Sequence, residues 1–190
     1  MTRIDVSAVL LAGISLLYPL LAALAVRSWG PGWVVVILCG LIAVRGLFGF
    51  ARGIPSALTY GLLAVAALIA LIALWDRELS VRLYPACMNA AMLIAFALTL
   101  RRGPSMIERF ARLAEPNLPE SGVRYTRTVT WVWVVFFLIN GAIATWTALY
   151  ADWDFWTLYN GLIAYLAMGA LFAGEFIVRQ FVRKREEPAK

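Results

Sequence analysis

The sequence predicts an all-α integral membrane protein: a bundle of about six transmembrane helices plus one short amphipathic interfacial helix. Three observations predict it. Of the 190 residues, 63% are apolar, against about 45–50% in a soluble domain. A small soluble protein keeps much of its surface in water, so one core cannot hide that excess. Only 15% of residues are charged, and they cluster, leaving long uncharged stretches. The Lys and Arg residues also divide unevenly between alternate loops, which is how inner-membrane proteins set their orientation. The whole chain, 1–190, reads as a single membrane domain.

A hydrocarbon core of about 30 Å needs roughly 20 helical residues, and six stretches fit between charged or Pro/Gly-rich breaks. The first covers 6–26, carries Pro19 and stops at Arg27. A signal peptide is its competing reading, because Ala23-Leu24-Ala25 has the small-x-small form of a cleavage site. The second covers 33–50, follows Gly30-Pro31-Gly32 and contains Arg45. The third covers 57–75 and stops at Asp76-Arg77-Glu78. The fourth covers 83–100 and stops at Arg101-Arg102. The fifth and sixth cover 128–150 and 155–178, and a basic tail, 179–190, follows.

The long loop 101–127 has its own helix signal. Ser105 and Glu108 stand at capping-box spacing, with Ser105 as N-cap and Glu108 at N3. Met106, Ile107, Phe110 and Leu113 then share one helical face, with Arg109 and Arg112 elsewhere around it. A helix of this kind lies in the membrane surface. Glu115-Pro116-Asn117-Leu118-Pro119 ends it.

Six spans put the amino terminus, the 2–3 loop, the 4–5 loop and the tail on one side. That side holds Arg3, Arg45, Arg52, Arg101, Arg102, Arg109, Arg112, Arg124, Arg127, Arg179, Arg183, Lys184, Arg185 and Lys190, fourteen of the 17 basic residues. Arg27, Arg77 and Arg82 lie on the other. The expected topology therefore has both termini in the cytoplasm of a bacterial inner membrane. Trp29, Trp33, Trp75, Trp146, Tyr150, Trp153 and Trp156 gather at the outer ends of the spans, where aromatic rings anchor a protein to the interface.

Several function classes drop out. The net charge of +6 sits in loops between apolar spans, so it expresses orientation and not nucleic-acid binding. There is no histidine, which removes Ser-His and Cys-His nucleophilic systems and histidine metal sites. Cys39 and Cys87 lie singly in apolar stretches and read as small buried residues. No Gly-rich phosphate loop is present, and a confident span holds a single acidic residue. No catalytic residue, metal or cofactor is expected. Leu-Tyr-Pro recurs at 17–19 and 83–85, and Asn-Gly-x-Ile-Ala at 140–144 and 160–164. The two pairs imply different repeats, so both read as coincidences of low-diversity sequence.

Polar residues at membrane depth are the candidates for function. Arg45 and Glu175 both fall in the inner halves of their spans. Their similar depths allow them to pair, and Arg45 alternatively snorkels to the surface. Asn89, Asn140 and Asn160 lie within spans. They read as hydrogen-bonding glue between helices, or as a polar pocket completed by Tyr18, Tyr84 and Tyr159. Gly161, Gly169 and Ala173 on one face of span six suit close helix packing. Arg101, Arg102, Arg109, Arg112, Arg124 and Arg127 form a cationic shelf. It attracts anionic lipid by about 1 kcal/mol per residue, or docks an acidic cytosolic partner such as an acyl carrier protein.

Five segments carry a resemblance: Leu83-Tyr84-Pro85-Ala86-Cys87-Met88-Asn89, Gly103-Pro104-Ser105-Met106-Ile107-Glu108-Arg109, Val123-Arg124-Tyr125-Thr126-Arg127, Phe136-Phe137-Leu138-Ile139-Asn140-Gly141, and Leu158-Tyr159-Asn160-Gly161 running on to Phe172-Ala173-Gly174-Glu175. Over roughly residues 80–180 the chain resembles an uncharacterised family of multi-pass bacterial inner-membrane proteins. Genes of that family often accompany clusters for aryl polyene or xanthomonadin-type pigments. The same half is distantly similar to the intracellular septation protein A family, although Gly103-Pro104 lacks the Lys that separates Gly and Pro there. The first resemblance implies envelope lipid or pigment assembly, with intermediates carried on acyl carrier proteins.

The leading expectation is a non-catalytic inner-membrane accessory or scaffold protein for an acyl-type envelope product. A small transporter or flippase with Arg45 and Glu175 on its path is the second, a membrane enzyme using Glu175 the third, and a septation-related role the fourth.

Overall fold

The computed structural model describes residues 33–37, 39, 40, 44 and 57–186. Among these residues there is no strand. The helices are α1 (Ala57–Ala73), α2 (Arg77–Arg101), α3 (Met106–Ala114), α4 (Glu120–Tyr150), α5 (Trp153–Leu158), a π-helical turn (Tyr159–Ile163) and α6 (Ala164–Glu186). Residues 33–37 are helical as well.

Among the described residues, three stretches are long and apolar enough to cross a membrane: Arg77–Arg101, Glu120–Tyr150, and Trp153–Gln180, which runs through the π turn. The predicted spans at 83–100, 128–150 and 155–178 fall inside them. The predicted span at 57–75 corresponds to α1, whose apolar part, Leu63–Ala73, is shorter. The span at 6–26 and most of that at 33–50, including Arg45, lie outside the described residues.

Local chemistry sets the ends of these helices. The charged triplet that closes the third span also opens the next helix. Asp76 is the N-cap of α2, its carboxylate accepting from the Leu79 amide at 2.9 Å. Pro85 sits inside α2 without ending it. A proline lacks the amide that an α-helix needs, but within a bundle neighbouring groups restore the balance. One turn on, the Asn89 side chain donates to the Pro85 carbonyl at 2.8 Å, an acceptor that the missing amide does not involve.

After Arg102 the chain turns at Gly103, whose φ of +85° is the left-handed region that side chains disfavour. That turn sets Ser105 at the start of α3, where the predicted capping box forms. The Ser105 hydroxyl accepts from the Glu108 amide at 3.4 Å, and the Glu108 carboxylate accepts from the Ser105 amide at 3.3 Å. Both residues are buried. Two further amides at this helix start bond neighbouring helices: Met106 donates to Thr99 of α2 at 2.9 Å, and Ile107 to Thr130 of α4 at 3.3 Å. The orphan donors of a helix start thus become its attachment points. Met106 and Ile107 pack inward on the bundle, while Phe110 and Leu113 of the same apolar face are 56% and 83% exposed.

At 31 residues and 1.5 Å per residue, α4 is about 46 Å long. It is longer than a hydrocarbon core of about 30 Å, and its charged residues, Glu120, Arg124 and Arg127, all fall in its first turns. Asp152 caps α5 by accepting from the Phe155 amide at 2.7 Å. The Ala164 amide then reaches back five residues to the Tyr159 carbonyl, which makes the turn before α6 a π turn.

α2 and α4 share the largest interface, with α1 against α2 and α3 against α4. One core joins Val65 and Ile69 of α1 to Val81 and Tyr84 of α2, Ala148 of α4 and Trp156 of α5, with Val34 and Val35. The other joins Phe96 and Leu100 of α2 to Val129, Trp133, Val134 and Phe137 of α4. Phe96 meets Phe137 edge-on at 5.2 Å between ring centroids, a favoured aromatic geometry. α6 leaves Leu166, Phe172, Phe176, Ile177 and Val178 exposed, as a lipid-facing helix does.

The helices alternate in direction, so charge separates by end. Arg101, Arg102, Arg109, Arg112, Arg124, Arg127 and Arg179 lie at the end that carries α3. The turns at 74–76 and 151–152, with Asp76, Arg77, Glu78, Asp152 and Asp154, lie at the opposite end. Trp75, Tyr150 and Trp146 are exposed at that opposite end, as interface anchors are. Trp156, expected to be another such anchor, is instead fully buried.

Candidate functional site

The three asparagines are not one pocket. Asn89 and Asn140 belong to a directed chain of hydrogen bonds that ties α4 to α2 on one side and to the π turn on the other. The Tyr159 hydroxyl donates to Asn140 Oδ1 at 2.9 Å, and Asn140 Nδ2 donates to Asn89 Oδ1 at 3.0 Å. Asn89 Nδ2 passes the chain to the Pro85 carbonyl at 2.8 Å. Asn140 is buried and Asn89 and Tyr159 are half-buried.

Asn160 stands apart from this chain. Its Nδ2 donates to the Thr147 hydroxyl at 3.1 Å and to the Trp156 carbonyl at 3.0 Å. Each of the three amide nitrogens donates within the protein, as interhelical glue would have it. An interhelical bond of this type averages about 0.6 kcal/mol and reaches about 1.7. A double-mutant cycle on Asn89→Ala and Asn140→Ala, read by unfolding in bicelles, is expected to show a coupling in that range. Strictly additive losses would mean that the two amides do not act together.

Gly141 explains why α2 and α4 come so close here. A Cβ built on it stands 3.1 Å from the Cβ of Asn89, so the absence of a side chain admits the asparagine. Of the glycines expected to allow close packing in span six, Gly169 does not serve that purpose: an added Cβ there meets nothing within 4 Å.

Arg82, half-buried one turn into α2, holds the opposite end together. Its Nη2 donates to the Thr147 carbonyl at 2.9 Å and to the Ala151 carbonyl, which are acceptors at the C-terminus of α4. Its guanidinium lies 5.5 Å from the centre of the Trp153 ring, within cation–π reach. Trp156 Nε1 donates to the Arg82 carbonyl at 3.0 Å, and Trp153 Nε1 to Glu78 at 2.7 Å. Sequence reading counts Arg82 only as a loop charge. Nothing local marks it, because the carbonyls it satisfies lie more than sixty residues away.

The cationic shelf is partly spent on structure. Arg109 donates to the Pro104 carbonyl at 3.0 Å. Arg112 pairs with Glu108 at 2.8 Å and donates to the Pro116 carbonyl at 3.1 Å. Arg127 donates to the Leu100 carbonyl at 2.9 Å, at the C-terminus of α2, where a cation meets the negative end of the helix dipole. Arg124 is exposed and stands 3.9 Å from Glu120. Arg101 and Arg102 are exposed. Of the six shelf arginines, Arg101 and Arg102 are the two left without a side-chain hydrogen bond or ion pair among the described residues.

A cavity lined by described residues lies elsewhere, at the α3 end of the bundle. Its volume is about 370 Å³, within the range of small-molecule sites, and α3, the α3–α4 connection, α4 and α6 enclose it. Ile107, Phe110, Leu118, Val129, Trp133 and Phe172 give it apolar walls. Trp133 and Phe172 approach to 4.5 Å between ring centroids along one side. Tyr125, Glu175 and Arg179 add polar groups, and Glu115 lines it too. The Tyr125 hydroxyl donates to Glu175 Oε1 at 3.4 Å and lies 3.3 Å from the Glu175 carbonyl. Arg179 Nε lies 3.7 Å from the same carboxylate oxygen.

Glu175 is thus a wall residue of the cavity. Its expected partner Arg45 lies outside the described residues. Neither Tyr125 nor Arg179 stands out in the sequence as a partner of Glu175. The i,i+4 spacing of Glu175 and Arg179 was the available signal, whereas Tyr125 lies fifty residues away. Among the described residues no cluster of His, Cys, Asp and Glu is placed to hold a metal ion. No protein-family model, curated protein or solved structure matches the chain.

Proposed function

We propose that this protein is a non-catalytic inner-membrane accessory protein that holds an acyl-type lipid during assembly of an envelope product. The observation that carries this reading is the cavity between α3, α4 and α6: apolar walls, polar groups at one edge, and a position beside the surface helix. An amphiphile meets both requirements there, with its chain against Trp133 and Phe172 and its head toward Tyr125, Glu175 and Arg179.

The concentration of arginine at the α3 end supports a cytoplasmic orientation for that end, with both termini on the same side. Phe110 and Leu113 then enter the headgroup region as an interfacial helix does. Arg101 and Arg102 remain free to meet anionic lipid or an acidic carrier that delivers an acyl intermediate, and Arg124 shares its charge only with the exposed Glu120. The envelope context is what the resemblance expected for residues 80–180 implies. The transporter reading, with Arg45 and Glu175 on its path, is the second, and Arg45 lies outside the described residues.

The test is lipid retention. The full chain is purified in a mild detergent, exchanged extensively, and extracted for mass spectrometry. About one acyl lipid per chain is expected. Ala111→Trp, which places a large ring in the cavity, is expected to lose it while keeping the helical circular dichroism. Wild-type protein that holds no acyl lipid, or an Ala111→Trp variant that holds as much as wild type, would sink the proposal.

A further inference from the structure

We infer that the cavity at the α3 end selects a phospholipid whose head carries a primary ammonium group beside its phosphate, the ethanolamine type. This inference rests on the acyl-lipid reading above and names the head group that reading leaves open.

The cavity edge has an unusual balance for a site at the arginine-rich end. Two carboxylates, Glu115 and Glu175, line it against one guanidinium, Arg179. The other arginines of that end lie outside its lining, and three of them are engaged with Pro104, Pro116 and Leu100 carbonyls. The Glu175 side chain is 19% exposed and the Arg179 side chain 50%, so the carboxylate is the deeper charge.

Glu175 Oε1 takes the contacts from Tyr125 and Arg179, leaving Oε2 without a hydrogen-bond partner among the described residues. The Glu115 carboxylate likewise has no hydrogen bond or ion pair to a described residue. The edge therefore offers free acceptors and a half-exposed cation.

A head with only a phosphate would meet Arg179 but would face two carboxylates. A primary ammonium supplies three donors and a positive charge, which the free carboxylate oxygens accept, while its phosphate takes Arg179. Charge-assisted bonds of this kind are about twice as strong as neutral ones. A trimethylated ammonium carries the charge but no donor, so it meets only half of the requirement. The volume, about 370 Å³, lies at the small end of ligand pockets, so it takes a compact head and the first carbons of one chain, with the rest of that chain and the second chain left in the bilayer.

The experiment is native mass spectrometry of the full chain in detergent with equimolar dioleoyl phosphatidylethanolamine, phosphatidylcholine and phosphatidylglycerol. The ethanolamine lipid is expected to exceed the glycerol lipid by about tenfold, the equivalent of one good charge-assisted bond. The choline lipid should fall between them. In Glu115→Gln/Glu175→Gln the preference should collapse to parity with total bound lipid retained, since a glutamine at 175 still accepts from Tyr125. Glu115→Gln alone, on an exposed side chain, should lower the preference without touching the fold.

Bound lipid with no head preference in the wild type would overturn this inference and leave the acyl-lipid reading standing. Unchanged selectivity in the double variant would overturn it as well. Absence of any bound lipid would overturn both.

Discussion

Trp156→Ala is expected to destabilise the protein by about 3 kcal/mol, near the lower end of the range for deleting a buried aromatic ring. Trp156 is fully buried in the core that α1, α2, α4 and α5 share. In water much of such a loss is hydrophobic transfer, but lipid is as apolar as the core, so that contribution shrinks in a membrane. What remains is specific. The ring leaves a void whose lining loses dispersion contacts. Its edge-on contact with Trp153, at 5.1 Å between centroids, adds about 0.5–1.5 kcal/mol. Its Nε1 bond to the Arg82 carbonyl at 3.0 Å adds about 1 kcal/mol. Reversible unfolding in bicelles measures the loss. Trp146→Ala is the control, since that ring is 52% exposed and touches Phe155 alone among the aromatic rings of the described residues. It should cost less than about 1 kcal/mol. Similar losses for the two tryptophans would show that Trp156 is an interface anchor after all.

That contrast marks where the sequence was legible. Composition and long apolar runs identified the membrane class, because lipid forces every span to satisfy its own backbone and so to be a helix of a set length. The Ser105–Glu108 capping box was readable because its two bonds close within four residues. The gathering of the 101–127 arginines at one end of the described helices was readable for a similar reason, since it needs only their position between two long apolar runs. The rotation of each helix was not readable. Trp146 and Trp156 look alike in sequence, yet one faces outward and the other fills a core. Arg82 reads as a loop charge until the C-terminus of α4 is set beside it. Asn89, Asn140 and Asn160 were visible as candidates, but whether they meet depends on depth and rotation together. The π turn inserts a residue between Tyr159 and Ala164, and no periodicity in so short a segment announces it. The cavity is the extreme case, since it joins α3 to the far end of α6, and its best signal, a lone Glu175 in an apolar span, pointed to the residue without pointing to Tyr125.

Replacing Gly141 should separate α2 from α4, and the size of the replacement decides the sign. Gly141→Ala gains about 1 kcal/mol of helix propensity while bringing a Cβ to 3.1 Å from that of Asn89. The asparagine is held at both ends of its amide, by Asn140 and by the Pro85 carbonyl, so it yields only by moving the helix. The two effects are of similar size, and the alanine variant should lie within about 1 kcal/mol of wild type. Gly141→Leu has the same propensity gain and far more volume. Overpacking costs about 1–3 kcal/mol, and pushing the helices apart also breaks the Asn140–Asn89 bond, for about 0.6 kcal/mol more. A net loss of about 2 kcal/mol is expected once the propensity gain is subtracted. Gly169→Leu provides the comparison, because an added Cβ there meets nothing within 4 Å, and it should be neutral or slightly stabilising. The same pair tests the hydrogen-bond chain without touching its members: in Gly141→Leu the coupling between Asn89→Ala and Asn140→Ala should vanish, while in Gly169→Leu it should persist. Coupling that survives in Gly141→Leu would mean that the amides find each other without the close approach, and that the glycine serves some other purpose in α4.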